Sequence, residues 1–263
     1  MSNQKAPALG AALPEVEEWP RRCAATLLAL RAGRPRVHAL TNPVAQLLTA
    51  NGLLALGATP TLTTNPEEAA DFVAASAATL LNLGMLDTDR FACLPRAAEA
   101  ASRLGKPFVI DPAFADRSPR RKALAVALFA TGPTAVKLNP DEAIAFAEAL
   151  PPGCLHLITG PVDQLRHGTR RVALGNGHAF LQSTTATGCL LGAILAACLA
   201  VEPDPLVAGA TAVSLLNIAA EQAALVAKGP GSFAVALVDA LANLTPDHVM
   251  TQLRLVAPQG DRA

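Results

Sequence analysis

"AVKLNPDEAIAFAEAL" (residues 135–150) joins a short β-rich run to an Asn-Pro pair and then to a helical pattern. Asn139-Pro140 suits the junction, because Asx-Pro pairs favour turn and cap roles. The unit recurs along the chain. "RVHAL" (36–40) runs into Thr41-Asn42, "TLLNL" (79–83) into Gly84, "PFVID" (107–111) into Pro112, and "LHLIT" (155–159) into Gly160, each followed by a helical pattern. Strands alternating with helices build a mostly parallel sheet covered by helices on both faces. The expected fold is therefore α/β, in three layers.

Two regions break the rhythm. In 163–183, "QLRHG" and "RRVALGNGH" place Gly and Asn-Gly turn signals between short extended runs, which predicts a hairpin at a sheet edge. From Thr187 the pattern is helical: 187–201, then 204–227 opened by Asp204-Pro205, then 232–243 opened by Ser232. A first helix is expected from about Glu15 to Ala32, stopped by Gly33 and Pro35. Residues 1–14 are expected to be a flexible tail, and 15–263 a single domain.

Composition narrows the partners. Hydrophobic residues make up 51% of the 263 and charged residues 16%, with 21 basic and 21 acidic side chains cancelling. A neutral, apolar chain of this kind lacks the electrostatic footprint of a nucleic-acid or anionic-membrane binder, and its expected partner is a small molecule. The five cysteines (Cys23, Cys93, Cys154, Cys189, Cys198) are odd in number and lack C-x-x-C spacing, which argues against disulfides and structural zinc and for a reducing cytoplasm. The N-terminus lacks signal-peptide layout. The apolar stretches 189–201 and 205–227 are too short, or are interrupted by Asn217, Glu221 and Gln222, so no membrane span is expected.

In an open parallel sheet, ligands bind beyond the carboxyl ends of the strands. The residues there are Thr41-Asn42, Asn82-Gly84, Asp111-Pro112, Asn139 with Glu142, Thr159-Gly160, and the helix start Thr187-Gly188-Cys189. Metal-assisted phosphoryl transfer needs such parts: carboxylates for Mg²⁺, backbone N–H groups at a helix mouth, and a base near an acceptor hydroxyl. Each also has a plainer reading as a turn, a cap or, for Cys189, a buried thiol. No Walker A pattern occurs, so a kinase here is not a P-loop enzyme.

The stretches "TANGLLALGATPTL" (49–62), "ITGPVD" (158–163), "GNGH" (175–178), "TGCLLGAI" (187–194) and "KGPGSFAVALVDALANLTPD" (228–247) resemble the hydroxyethylthiazole kinases, members of the ribokinase-like superfamily. The resemblance runs from about Val37 to Asp247. It implies a ribokinase-like fold and transfer of the ATP γ-phosphoryl to the primary alcohol of 4-methyl-5-(2-hydroxyethyl)thiazole, with Mg²⁺, in thiamin salvage. It also implies a homotrimer with sites between subunits, Asn42 and Leu62 coming from one chain and Cys189 from the next. Cys189 matches the family's cysteine, where related kinases carry an aspartate base. Asp111 and Glu142 match the carboxylates that organise Mg²⁺ and phosphate, and Thr159 an ATP contact. Asn42 and Val44 match the lining of the thiazole pocket, and Leu62 stands where the family usually has methionine.

Three departures accompany the match. "DPAFADRS" (111–118) replaces a Gly-rich loop, Lys137-Leu138-Asn139 replaces Arg-Gly-Asn beside the nucleotide, and Ala186 replaces a glycine of the anion-hole turn at the substrate site. These leave open a kinase for another small alcohol, or a homologue that binds without turnover. On this reading Gly188 lets the backbone turn tightly, and the helix mouth is expected to lower the Cys189 thiol pKa.

Overall fold

The computed structural model describes residues 16–258. Glu15 and the expected tail 1–14 lie outside the described residues. In chain order the elements are α1 (Glu18–Gly33), β1 (Arg36–Leu40), α2 (Pro43–Ala55), β2 (Thr59–Thr61), α3 (Ala69–Ala75), β3 (Ala78–Asn82), α4 (Thr88–Arg103) and β4 (Phe108–Asp111). There follow α5 (Pro119–Phe129), β5 (Ala135–Leu138), α6 (Pro140–Ala145), β6 (Leu155–Ile158), β7 (Asp163–His167), β8 (Arg170–Leu174) and α7 (Phe180–Ser183). The chain then runs through α8 (Thr187–Leu199), α9 (Pro205–Val226), α10 (Pro230–Asn243), α11 (Pro246–Gln252) and β9 (Leu255–Val256).

One nine-stranded sheet runs β2-β1-β3-β4-β5-β6-β7-β8-β9. Every pairing from β2 to β6 is parallel, and those from β6 to β9 are antiparallel, with β7 and β8 forming the expected hairpin. Successive strand residues feed opposite faces. Val37, Ala39, Leu80 and Val109 join the core beneath α1, α2, α8, α9 and α10, while Leu40, Leu81, Ile110 and Val136 join the core beneath α3, α4 and α5. Burial on both faces explains why these strands read as continuous apolar runs.

Asn and Asp caps start the helices as expected. Asn42 accepts from the Ala45 N–H, Asn139 from the Glu142 N–H and Asp204 from the Leu206 N–H, each with Pro in the first turn. One start differs. The helix expected from Ser232 begins at Pro230, because the Ser232 hydroxyl serves the preceding turn, accepting from the Lys228 N–H at 2.9 Å and donating to Gly229 O at 3.2 Å. By length and composition α9 passes as a membrane span, yet 89% of its apolar window is buried within the fold.

Close helix–sheet approach depends on glycine at two places that matter here. A Cβ on Gly192 of α8 would lie 2.9 Å from Leu80 Cδ1, and one on Gly209 of α9 2.6 Å from Leu165 Cδ2 and 2.7 Å from Leu155 Cδ2. Overpacking of this kind costs about 1–3 kcal/mol. Gly209→Val is therefore expected to lower the Tm by several degrees in thermal unfolding, whereas Gly153→Ala, where nothing lies within 4 Å of the added carbon, leaves it nearly unchanged. Equal Tm values for the two variants would contradict this packing.

Candidate active site

At the carboxyl edge of the sheet, β3, β4 and β5 end side by side and the N-terminus of α8 meets them. Lys137 Nζ lies 3.1 Å from Asp111 Oδ1, both side chains buried. Asp111 Oδ2 accepts from Asn82 Nδ2 at 2.8 Å, and the same amide donates to Cys189 Sγ at 3.4 Å. Asn42 Nδ2 donates to Asn82 Oδ1 at 3.2 Å and to Cys189 Sγ at 3.5 Å. The half-buried Cys189 thus receives two amide donors beside a buried ion pair, unlike Cys23, Cys93, Cys154 and Cys198, which are fully buried.

Three expectations about this centre change. Asn42 and Cys189 meet within one chain, so they are not supplied by different subunits. The tight backbone turn belongs to Ala186, at φ 70° and ψ 1°, and positive φ does not occur at Gly188. Gly188 matters for space instead, since a Cβ there would approach Lys137 Nζ to 3.3 Å. The thiol is also not acidified. Burial pushes the Cys189 pKa up and the Asp111 charge adds to it, outweighing the opposing pull of Lys137 and Asn42. The same field acts oppositely on Lys137: burial favours its neutral form, but Asp111, then Cys189 and Glu142, hold its pKa above the ordinary value.

Glu142 is fixed by backbone donors. Its Oε2 accepts from the Asn139 N–H at 2.9 Å and its Oε1 from the Phe114 N–H at 2.8 Å. Burial, reinforced by the Asp111 charge, holds its pKa above the ordinary carboxylate range despite these bonds. Asn139 is correspondingly committed to its cap, accepting from the Glu142 N–H at 2.8 Å. Val44 is 50% exposed at the start of α2, and Leu62 packs against the core just after β2.

Beside the α8 N-terminus opens a cavity of about 580 Å³, lined in part by Thr159, Asp163, Asn176, His178, Gly188 and Asn217. Thr159 Oγ1 donates to Leu138 O at 3.1 Å, and Lys137, Asn139 and Cys189 are not in the lining. The first helical bond of α8 runs from the Leu190 N–H to Ala186 O, which leaves the N–H groups of residues 187–189 ahead of the ladder. Such a helix mouth suits an anion.

The model of the hydroxyethylthiazole kinase family matches residues 27–150 and 146–247. The chain belongs to that family. A probable hydroxyethylthiazole kinase from Agrobacterium fabrum is 41% identical over 239 residues, covering 91% of this chain and 96% of that one. The structure of a hydroxyethylthiazole kinase protein from Pyrococcus horikoshii superposes with TM-score 0.85 at 33% identity, over 90% of this chain and 98% of that one. A ribokinase-like superfamily protein from Enterococcus faecalis shares the fold, at TM-score 0.60 and 15% identity over 82% and 89% of the two chains.

Asn82 is one of the post-strand polar residues expected from the sequence, but its role as the link between Asp111, Asn42 and Cys189 needs the strand order. Within this kinase framework the structure also adds residues that local sequence patterns did not single out. Arg90 is fully buried and donates to Asn82 O at 2.6 Å, to Met85 O at 2.9 Å and to Gly84 O, clamping the loop that carries Asn82. Asp163 lines the cavity with its pKa raised to about 6 by burial.

Left-handed backbone costs a non-glycine residue about 1–2 kcal/mol, partly offset by the greater entropy glycine loses on folding. Ala186→Gly is expected to raise the Tm slightly, and Ala186→Val to lower it clearly, in thermal unfolding. A valine variant as stable as the wild type would mean that residue 186 does not hold positive φ.

Proposed function

We infer that this chain is a hydroxyethylthiazole kinase, transferring the γ-phosphoryl of ATP to the primary alcohol of 4-methyl-5-(2-hydroxyethyl)thiazole. The observation that carries the reading is Cys189 at the first turn of α8, holding two amide donors, beside the Asp111–Lys137 pair and a nucleotide-sized cavity. In the reaction the substrate oxygen attacks the γ-phosphorus, the bond to the ADP oxygen breaks, and the hydroxyl proton passes to a Cys189 thiolate. The N–H groups of residues 187–189 face the phosphoryl oxygens, and Lys137 balances charge behind them. A loose transition state asks little of the base, so charge stabilisation carries more of the catalysis than the thiolate does.

Mg²⁺ fits the donor set. Each oxygen of Asp111 and Glu142 accepts one hydrogen bond and keeps a further lone pair, and the two carboxylates lie within each other's field. Among the described residues no cluster of three His, Cys, Asp or Glu forms a cage. Mg²⁺ is usually held by one or two carboxylates with substrate phosphates and water. Asp111 and Glu142 would hold it, and when bound it neutralises phosphate charge.

Asn42, Val44, Leu62 and Ala186 are assigned to the thiazole side, and Thr159 to ATP, with Lys137 and Asn139 supporting it from behind the cavity. The setting is thiamin salvage in a reducing cytoplasm. A homotrimer suits the exposed face of α2, where Val44, Leu47 and Leu54 are 50%, 74% and 56% exposed and fall on one side of the helix.

A coupled assay with ATP, Mg²⁺ and the thiazole alcohol is expected to release ADP, and EDTA to stop it. Turnover of only a different vitamin-precursor alcohol, or thiazole binding without ATP consumption, would replace this reading. In the same assay Cys189→Ala is expected to lose roughly a hundredfold in kcat, while Cys189→Asp keeps or exceeds wild-type activity. Because the thiol pKa is raised, wild-type kcat should climb as pH rises through and above neutrality, and the aspartate variant should be flat there. An alanine variant as active as the wild type would remove Cys189 from the reaction.

A further inference from the structure

α9 is apolar along most of its length, and two of its buried polar residues satisfy themselves: Thr211 donates to Val207 O and Ser214 to Ala210 O. Asn217 reaches outward instead. Its Nδ2 donates to Asp163 Oδ2 at 2.7 Å and to Asn176 O at 2.8 Å. One turn later, Glu221 Oε1 accepts from the Gly177 N–H at 2.7 Å, and Asn176 Nδ2 donates to Glu221 Oε2 at 3.2 Å. Asp163 in turn accepts from the Gly160 N–H at 3.1 Å. Two segments that line the cavity, 159–163 and 175–178, are therefore tied to a single face of one helix.

The tie is built tightly. Asn217 is 5% exposed, and both of its amide hydrogens are used. Gly177 sits at φ 138°, and a Cβ there would lie 3.5 Å from Asn217 Nδ2. Asn176 is held from its other side as well, since its Oδ1 accepts from the Arg254 N–H at 2.7 Å and its Nδ2 donates to Gln252 O at 2.9 Å. A buried polar network closed to this degree specifies one geometry of the segments it joins.

We propose that Asn217 and Glu221 are positioning residues for ATP: they set the shape of the nucleotide cavity by holding Asp163 and the Asn176–His178 segment in place. The proposal rests on reading that cavity as the ATP site. Neither residue lies at Asn42 or Cys189, so losing either should act on ATP and spare the thiazole alcohol.

The test is steady-state kinetics with both substrates varied. Asn217→Leu, close in volume and without donors, is expected to raise the KM for ATP at least tenfold while the KM for the thiazole alcohol stays within twofold. Asn217→Asp faces a second carboxylate toward Asp163 and should do the same or worse. Adding Asp163→Asn to it restores one N–H···O contact and should recover part of the loss, a rescue that general destabilisation would not produce. Gln182→Trp, at an exposed lining position outside the network, should also raise the KM for ATP. If Gln182→Trp leaves it unchanged, the cavity is not the ATP site and both readings fall. If Gln182→Trp raises it while the Asn217 variants leave it unchanged, or raise both KM values together, the positioning role alone is overturned.

Discussion

The contact on which the site depends is the buried ion pair between Lys137 and Asp111, on neighbouring strands β5 and β4. Removing one partner of such a pair strands a charge in the interior, at roughly 3–5 kcal/mol. Its presence constrains everything around it. The ammonium reaches the first turn of α8, so a side chain at residue 188 would crowd it, its Cβ 3.3 Å from Lys137 Nζ. The second oxygen of Asp111 engages Asn82, and Asn82 then has one amide hydrogen left, which points to Cys189. Its carbonyl oxygen collects Asn42 and the Gly84 N–H. One pair thereby fixes the ends of three strands, a helix cap and the thiol.

The layered α/β architecture was legible because three signals coincided. Strands buried on both faces read as apolar runs, Asx-Pro caps marked where helices follow, and Gly-containing turns marked the hairpin. Elements with weaker signals escaped. β2 is three residues long and half-buried, and β9 is two, so their pairing depends on neighbours more than on their own composition. α11 is announced by Thr245, Pro246 and a reciprocal cap from His248, an unusual residue in that role.

For the site, residue identity was more legible than electrostatics. Asn42, Asp111, Lys137 and Cys189 converge within one chain, but the thiol pKa depends on a balance that no local pattern contains. A helix mouth alone lowers a thiol pKa, and here burial and an adjacent carboxylate outweigh it. Arg90 and Asn217 were illegible for a similar reason. Each looks like an ordinary polar residue on a helix, and its partners are carbonyls or side chains brought in by the sheet.

Two of the departures from the family pattern, the 111–118 loop and Ala186, carry left-handed backbone. Among the described residues, Arg34, Met85, Ala113, Phe114 and Ala186 are the non-glycine positions with positive φ, and all but Arg34 lie in loops around the site. Strain persists where surrounding bonds over-determine a conformation. The Phe114 N–H is held by Glu142, and Ala186 O opens the α8 ladder, so both loops keep a left-handed path that glycine would adopt without strain. Lysine at 137 obeys the same logic. Asp111, the charge that does most to hold its pKa up, meets a single nitrogen, and a compact ammonium answers it from behind a glycine where a planar guanidinium would need a wider space. The backbone thus brings Asn82, Asp111, Lys137 and Cys189 to one point, and the donors and charge gathered there follow from where the strands and α8 end.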